Sequence, residues 1–309
     1  MAVNARNIYL FANHARSFLG AVKFRELHSE NYHWQYLEAG DISKPTVLLV
    51  HGFGESKAVW RSLMLSLSRN YYVLAPDLPG LKSGIATQDG RYDFPRLAAC
   101  LNEFVCALDL GRFHLLGHSL GANVAAVFAA RYQQRMLSLV LISLLAIDHL
   151  NPSSQIARFS DFQDLIRCER ENALQALLQM LFYQPPAIPS AVLRYEERKM
   201  SSLRGFHQQV LADVRLNMLF LLQSLQYLPS QTMLVTGEDD VFQSDDNWSV
   251  LRQSPQKVQF RSIPRCGHMP LLERPRELLQ IYSNYLNSFH QYSFDTSSNG
   301  KETISVEPQ

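Results

Sequence analysis

No uninterrupted apolar run in the 309-residue chain approaches the ~18–20 residues that a bilayer-spanning helix needs. Neither sign of charge is in excess: 29 Lys and Arg against 28 Asp and Glu leave a formal net charge of +1. That balance offers no electrostatic footprint for nucleic acid, and none is expected as a partner. Cysteine is scarce. Cys100, Cys106, Cys168 and Cys266 are scattered without C-x-x-C pairing or histidines at zinc spacing, which argues against a zinc module or a disulfide scaffold. Free buried thiols in a reducing compartment, and so a cytoplasmic address, are the expectation. Internal repeats are missing too. What the chain does have is apolar substance, 47% hydrophobic residues against 18% charged, enough for one large domain or a core carrying a sizeable insertion.

The first 24 residues form an opening segment of their own. Ile8, Phe11, Ala15, Phe18, Leu19 and Val22 recur at helical spacing, with Arg6, Arg16 and Lys23 as the charges. Its longest apolar run, Ile8 to Ala12, is shorter than the ~7–15 residues of a signal-peptide core. Two readings stand: an amphipathic helix laid against the domain, or one lying on a membrane surface with its arginines toward anionic headgroups.

Beyond it, Lys23–His28 and Tyr32–Ala39 alternate apolar and polar residues, as an antiparallel hairpin at a sheet edge does. Thr46–Val50, Tyr71–Ala75, Phe113–Gly117, Ser138–Ser143, Thr232–Thr236 and Val258–Ile263 are short runs of the kind that form strands in a sheet covered on both faces. Helical stretches separate the earlier ones (Val59–Ser68, Phe94–Leu108, then the Ala-rich segment from Leu120). Strand alternating with helix at this pace means βαβ units, a mostly parallel sheet, and chemistry at the carboxyl ends of the strands. From about His149 to Leu228 the pattern turns helical with no clear strand. A closing helix is expected over Arg276–Phe289, and a polar, disordered tail from Gln291 onward.

The chemistry centres on Gly117-His118-Ser119-Leu120-Gly121. A strand before it and a helix after it make this Gly-x-Ser-x-Gly a nucleophile elbow, with Ser119 in a strained turn and its hydroxyl exposed. Side chains two positions before and after would collide with neighbouring backbone, so glycines stand there. The other loop of interest is His51-Gly52-Phe53-Gly54-Glu55-Ser56, at the end of the first buried strand. Taken alone, this loop reads equally as a plain strand-to-helix connection or as a sharp turn that leaves the N–H of Phe53 pointing into the site. The elbow favours the turn, with that N–H opposite the one of Leu120 as two oxyanion-hole donors must be. Asp77, before Leu78-Pro79-Gly80, reads as structural, bonding the amides of its own turn. His118 reads as a packing residue, or one bonding nearby backbone, rather than a base.

His51-Gly52-Phe53-Gly54, Asp77-Leu78-Pro79-Gly80 and Gly117-His118-Ser119-Leu120-Gly121, in that order, resemble the α/β-hydrolase fold, and within it serine esterases and lipases of the monoacylglycerol-lipase kind. The resemblance covers about residues 30–290. One departure is Lys82-Ser83-Gly84 after the Pro-Gly turn, where relatives commonly have a further glycine and then a serine. The resemblance implies a helical cap over residues 149–228, inserted between core segments 25–148 and 229–290. Leu177, Leu178, Met180, Leu181, Phe182, Met218, Leu219 and Phe220 then either line an acyl pocket or simply pack the cap on the core. It also places the triad acid at the third residue past Gly237, which is Asp240, with Asp239 and Asp148 as competitors, and the general base at His268 in the loop after the last strand.

Ser119, Asp240 and His268 would thus be the catalytic residues of a carboxylic ester hydrolase acting on a small lipid-like ester such as a monoacylglycerol, with no metal or organic cofactor called for. Two rivals stay open: a carbon–carbon bond hydrolase or perhydrolase using the same three residues, and a non-catalytic binding protein on the same fold.

Overall fold

The computed structural model describes residues 21–82, 85–145, 152–167, 172–243, 249–252 and 258–298. Eight strands make a single sheet: β1 (Val22–His28), β2 (His33–Ala39), β3 (Thr46–Val50), β4 (Tyr72–Pro76), β5 (Phe113–His118), β6 (Met136–Ile142), β7 (Thr232–Gly237) and β8 (Gln259–Ile263), in spatial order β1-β2-β4-β3-β5-β6-β7-β8. The hairpin β1–β2 joins β4 antiparallel, and every other pairing is parallel. The fold is the α/β-hydrolase architecture. Its edge strand β1 leaves most of its residues exposed, whereas β5 is buried along its whole length.

Burial on both faces explains the unbroken apolar runs. In β3, Leu48 and Val50 join one core cluster, with Phe104 and Phe128, while Val47 and Leu49 join the other, with Trp60, Met64 and Tyr282. Helices α1 (Arg61–Leu67), α2 (Phe94–Ala107) and α3 (Leu120–Arg131) follow β3, β4 and β5. Asp93 caps α2, its side chain accepting the N–H of Arg96, and Phe94, Leu97, Leu101 and Phe104 recur three and four apart on the buried face. In α3 every residue from Leu120 to Ala129 is buried, which small alanines permit.

Between β6 and β7 lie α4 (Pro152–Arg167), α5 (Ala173–Leu181), α6 (Ser190–Ser202), α7 (Arg204–Leu216) and α8 (Met218–Leu225). Short α9 (Ser249–Arg252) and α10 (Pro270–Glu273) precede the closing α11 (Pro275–Ser298).

Several boundaries differ from the sequence reading. Residues 1–20 lie outside the described residues, and with them most of the opening segment. Its end is not helical: Val22, Lys23 and Phe24 pair with Ala39, Glu38 and Leu37 as strand. The final helix runs on to Ser298, eight residues into the stretch read as a tail. No glycine or proline stands between Gln291 and Ser298 to stop it, and a polar composition alone does not break backbone hydrogen bonding. Residues 299–309 are outside the described set. Cys100 and Cys266 are buried thiols, but Cys106 is exposed, because it falls on the outer face of α2.

Candidate active site

The strand order reverses between β3 and β5: β4 lies on one side of β3, and the chain returns to place β5 on the other. Crevices at such switch points, outside the carboxyl ends of the strands, are where open α/β sheets bind ligands. Register brings Val50 level with Gly117, so the loops carrying His51–Gly54 and His118–Leu120 leave the sheet side by side. A Cβ built on Gly52 would lie 3.1 Å from Ser119 Cβ.

Ser119 has φ 53° and ψ −127°, a conformation that L-residues rarely adopt, held by its N–H bonding the carbonyl of Ile142 at 2.9 Å. The flanking glycines are steric necessities: a Cβ at Gly117 would meet the Gly121 carbonyl oxygen at 2.5 Å, and one at Gly121 would meet that of His51 at 2.3 Å. Among the described residues, neither the N–H of Phe53 nor that of Leu120 has a protein acceptor, and both residues line the cavity that Ser119 faces. Leu120 opens α3, so the positive end of that helix dipole lies at the same place.

Ser119 Oγ lies 2.8 Å from His268 Nε2, and His268 Nδ1 lies 2.9 and 3.0 Å from the two oxygens of Asp240. An ionised carboxylate only accepts, so Nδ1 carries the ring proton and Nε2 is bare toward the serine hydroxyl. Burial acts to raise the Asp240 carboxyl, but the charge interaction with His268, its hydrogen bond and that from the N–H of Phe242 outweigh it and leave the group below its ordinary value. β8 lies three strands away from β5, and its loop must turn back to bring His268 in. It does so over Gly237, where a Cβ would meet the Cys266 and Gly267 carbonyl oxygens at 2.2 and 2.3 Å. Of the competing acids, Asp239 donates its N–H to Cys266 and makes no bond to His268, while Asp148 lies outside the described residues.

Residues 45–275 match the alpha/beta hydrolase fold family. The chain belongs to that family. It is 24% identical over 281 residues to monoacylglycerol lipase ABHD6 of Rattus norvegicus, covering 87% of this chain and 83% of the relative. Among solved structures, a bacterial membrane phospholipase A matches with a TM-score of 0.80 at 27% identity, over 92% of this chain and 94% of that one. A lipase-like protein (lip1) from Acinetobacter baumannii AYE matches with a TM-score of 0.78 at 26% identity, over 94% and 98%. Among the described residues of this hydrolase no helix is long and apolar enough to cross a membrane.

Two other fully buried histidines flank the serine, and their partners give them opposite character. His51 Nε2 accepts the N–H of Leu78 at 3.1 Å while Nδ1 donates to the Gly52 carbonyl at 2.8 Å, so the ring is neutral, and burial lowers its pKa. His118 Nδ1 lies 3.0 Å from Glu55 Oε1, and its Nε2 is 2.9 Å from the backbone oxygen of His268. Burial alone would lower the His118 pKa, yet the Glu55 carboxylate carries it above its ordinary value. The bond from His118 to backbone agrees with the sequence expectation, whereas its pairing with Glu55, a residue of the His51–Ser56 motif, goes beyond it. Among the described residues Asp77 does not bond its own turn: its carboxylate accepts both the N–H and the ammonium of Lys57, the first residue of the short 3₁₀ helix Lys57–Trp60.

The cavity above Ser119 measures about 390 Å³, within the range of small-molecule sites. Leu177, Leu178, Leu181 and Phe182 line it, joined by Leu145, Phe162, Ile166 and Leu203. Of the other four residues of the sequence expectation, Met180 and Met218 follow the packing alternative, Met180 against the core cluster and Met218 buried within it, whereas Leu219 and Phe220 are 62% and 40% exposed. None of the four lines the cavity. They lie on apolar helical turns whose inward faces were not distinguishable from composition. The cap is fastened to the histidine loop: the N–H of His268 donates to the Leu181 carbonyl at 2.8 Å, and Glu273 accepts the N–H groups of Gly267 and Tyr183, each at 2.8 Å.

Proposed function

We propose that this hydrolase cleaves carboxylic esters through an acyl-enzyme on Ser119, with a lipid-like ester such as a monoacylglycerol as substrate. The observation that carries the reading is the unbroken hydrogen-bond chain Ser119–His268–Asp240 beneath an apolar cavity. His268 Nε2 takes the Ser119 proton as Oγ bonds to the ester carbonyl carbon, and the C=O electron pair moves onto oxygen, where the N–H groups of Phe53 and Leu120 receive it. The intermediate collapses, the C–O bond to the alcohol breaks, and His268 returns the proton to the leaving oxygen. Water, deprotonated by the same nitrogen, then frees the acid and restores Ser119. Asp240 holds the ring tautomer and balances the imidazolium. The leucine- and phenylalanine-rich part of the cavity wall and the similarity to a monoacylglycerol lipase and a phospholipase support an acyl chain as the bound group.

Labelling by a fluorophosphonate, abolished in Ser119→Ala, tests the nucleophile and separates an enzyme from a binding protein. Rates on p-nitrophenyl esters, on monoacylglycerols across acyl lengths with and without a lipid interface, and on a ring-fission diketone test the substrate. Faster turnover of the diketone overturns the ester reading.

A further inference from the structure

A second buried polar chain touches the same site, and the steps above give it no role. His118, with no exposed surface, presents both ring nitrogens to acceptors: Nδ1 to the Glu55 carboxylate, 3.0 and 3.2 Å from its oxygens, and Nε2 to the His268 carbonyl at 2.9 Å. A carbonyl has no proton to give, so Nε2 carries one. Glu55 Oε2 already accepts the N–H of Gly52 at 2.7 Å, which favours an ionised carboxylate, and such a carboxylate has none to give either. Nδ1 therefore carries the second proton. The ring is an imidazolium, in agreement with its raised pKa and the lowered one of Glu55.

The position of the pair matters as much as its charge. Glu55 lines the cavity with Ser119, and a Cβ built on Gly52 would be 3.1 Å from both Glu55 Oε2 and Ser119 Cβ. A bare carboxylate there would oppose the negative charge developing on the substrate oxygen. His118 cancels it. Through its other nitrogen it holds the backbone of His268, while Glu55 holds the amide preceding Phe53. We propose that Glu55 and His118 are positioning residues for ester hydrolysis. They form an imidazolium–carboxylate clamp that ties the oxyanion loop to the histidine loop and presents no net charge to the reacting oxygen. Asp240, His268 and His51 are the other titratable groups around the clamp, and Lys82 stands on the cavity wall.

The inference rests on the serine-hydrolase reading, so the full chain is first assayed on a p-nitrophenyl ester and with the fluorophosphonate. A wild-type protein failing both overturns that reading itself. Given an active enzyme, kcat and KM are compared for Glu55→Gln, His118→Asn and the double variant. Glu55→Gln removes the charge but keeps an acceptor, and is expected to lower kcat about 10-fold, whereas His118→Asn strands the carboxylate and is expected to cost about 100-fold, with KM changed only a few-fold. In the double variant the stranded charge is gone, and kcat recovers to about the level of Glu55→Gln. A double variant as impaired as the product of the two single losses, or His118→Asn retaining wild-type kcat, overturns the proposal. Because a substitution can act through folding, nitrogen NMR of the wild-type imidazole supplies an independent readout. Two protonated nitrogens on His118 at neutral pH support the clamp, and a singly protonated ring refutes it.

Discussion

The core and the cap of this hydrolase are built under different constraints. In the core, α3 buries every residue from Leu120 to Ala129, and the sheet fills both its faces. In the cap, α6 has no buried residue among its thirteen, and Val192 and Tyr195 on it are 47% and 59% exposed. A densely packed core has few alternative arrangements, so it can hold Ser119 at a strained φ and keep three loops in register. A cap helix held by few contacts has little to lose by moving, and opens at lower cost than the sheet beneath it. In the proposed reaction, the reacting groups sit on the first kind of structure and the apolar part of the ester meets the second.

The largest effect that sharpens this contrast comes from the rim of the core. Ser119→Ala or His268→Ala is expected to lower kcat by about 10⁴- to 10⁶-fold, with the thermal midpoint little changed. An enzyme within tenfold of wild type would move the chemistry elsewhere. Asp240→Asn keeps the shape but removes the carboxylate that fixes the ring tautomer, and a loss of about 10⁴ in kcat is expected by analogy with other triads. Denaturant unfolding separates the two regions by stability. Phe128→Ala, on a fully buried side chain, is expected to cost about 3–5 kcal/mol, and Tyr195→Ala on α6 within about 0.5. Comparable losses at both sites would erase the distinction.

Smaller still is the effect of filling the cavity. Leu178→Trp is expected to lower kcat/KM on long acyl esters about 10-fold while leaving a short acetate ester within a few-fold. The gentlest lever is acid. Asp240 and Glu55 both have lowered pKa values in the folded protein, so each stabilises it above the ordinary carboxylate pKa and loses that contribution as pH falls through its folded value. His118 works in the opposite sense. Its raised pKa contributes stability fully below the ordinary imidazole value, and this is lost as pH rises through the folded one. Equilibrium unfolding followed down the acid limb should lose part of its pH dependence in Asp240→Asn.

All eight strands were legible as runs of residues, because burial on both faces imposes unbroken apolar stretches and an exposed edge imposes alternation. So was the elbow, since only glycines fit at 117 and 121. The cavity wall was half legible. Leu177 and Leu181 share a spacing with residues that face elsewhere, and which face of a cap helix turns inward depends on the partner it meets. Glu55 lay in a motif read for its neighbours, and Glu273 in a stretch given no reading. Neither carries a local signature, because the partner that gives each its role, His118 for Glu55 and the cap backbone at Tyr183 for Glu273, is many residues away.

The sequence by itself determined the order of strands and helices and the residue at which a strained turn exposes a hydroxyl, for these follow from periodicity and from local sterics. The tertiary structure alone decided the spatial order of the strands, the return of the β8 loop over Gly237 to bring His268 within 2.8 Å of Ser119, and the partners that the rings of His51 and His118 meet. The physical reason is that a hydrogen bond, and the proton that goes with it, belongs to whichever donor and acceptor the packed chain brings together, at any separation along the chain.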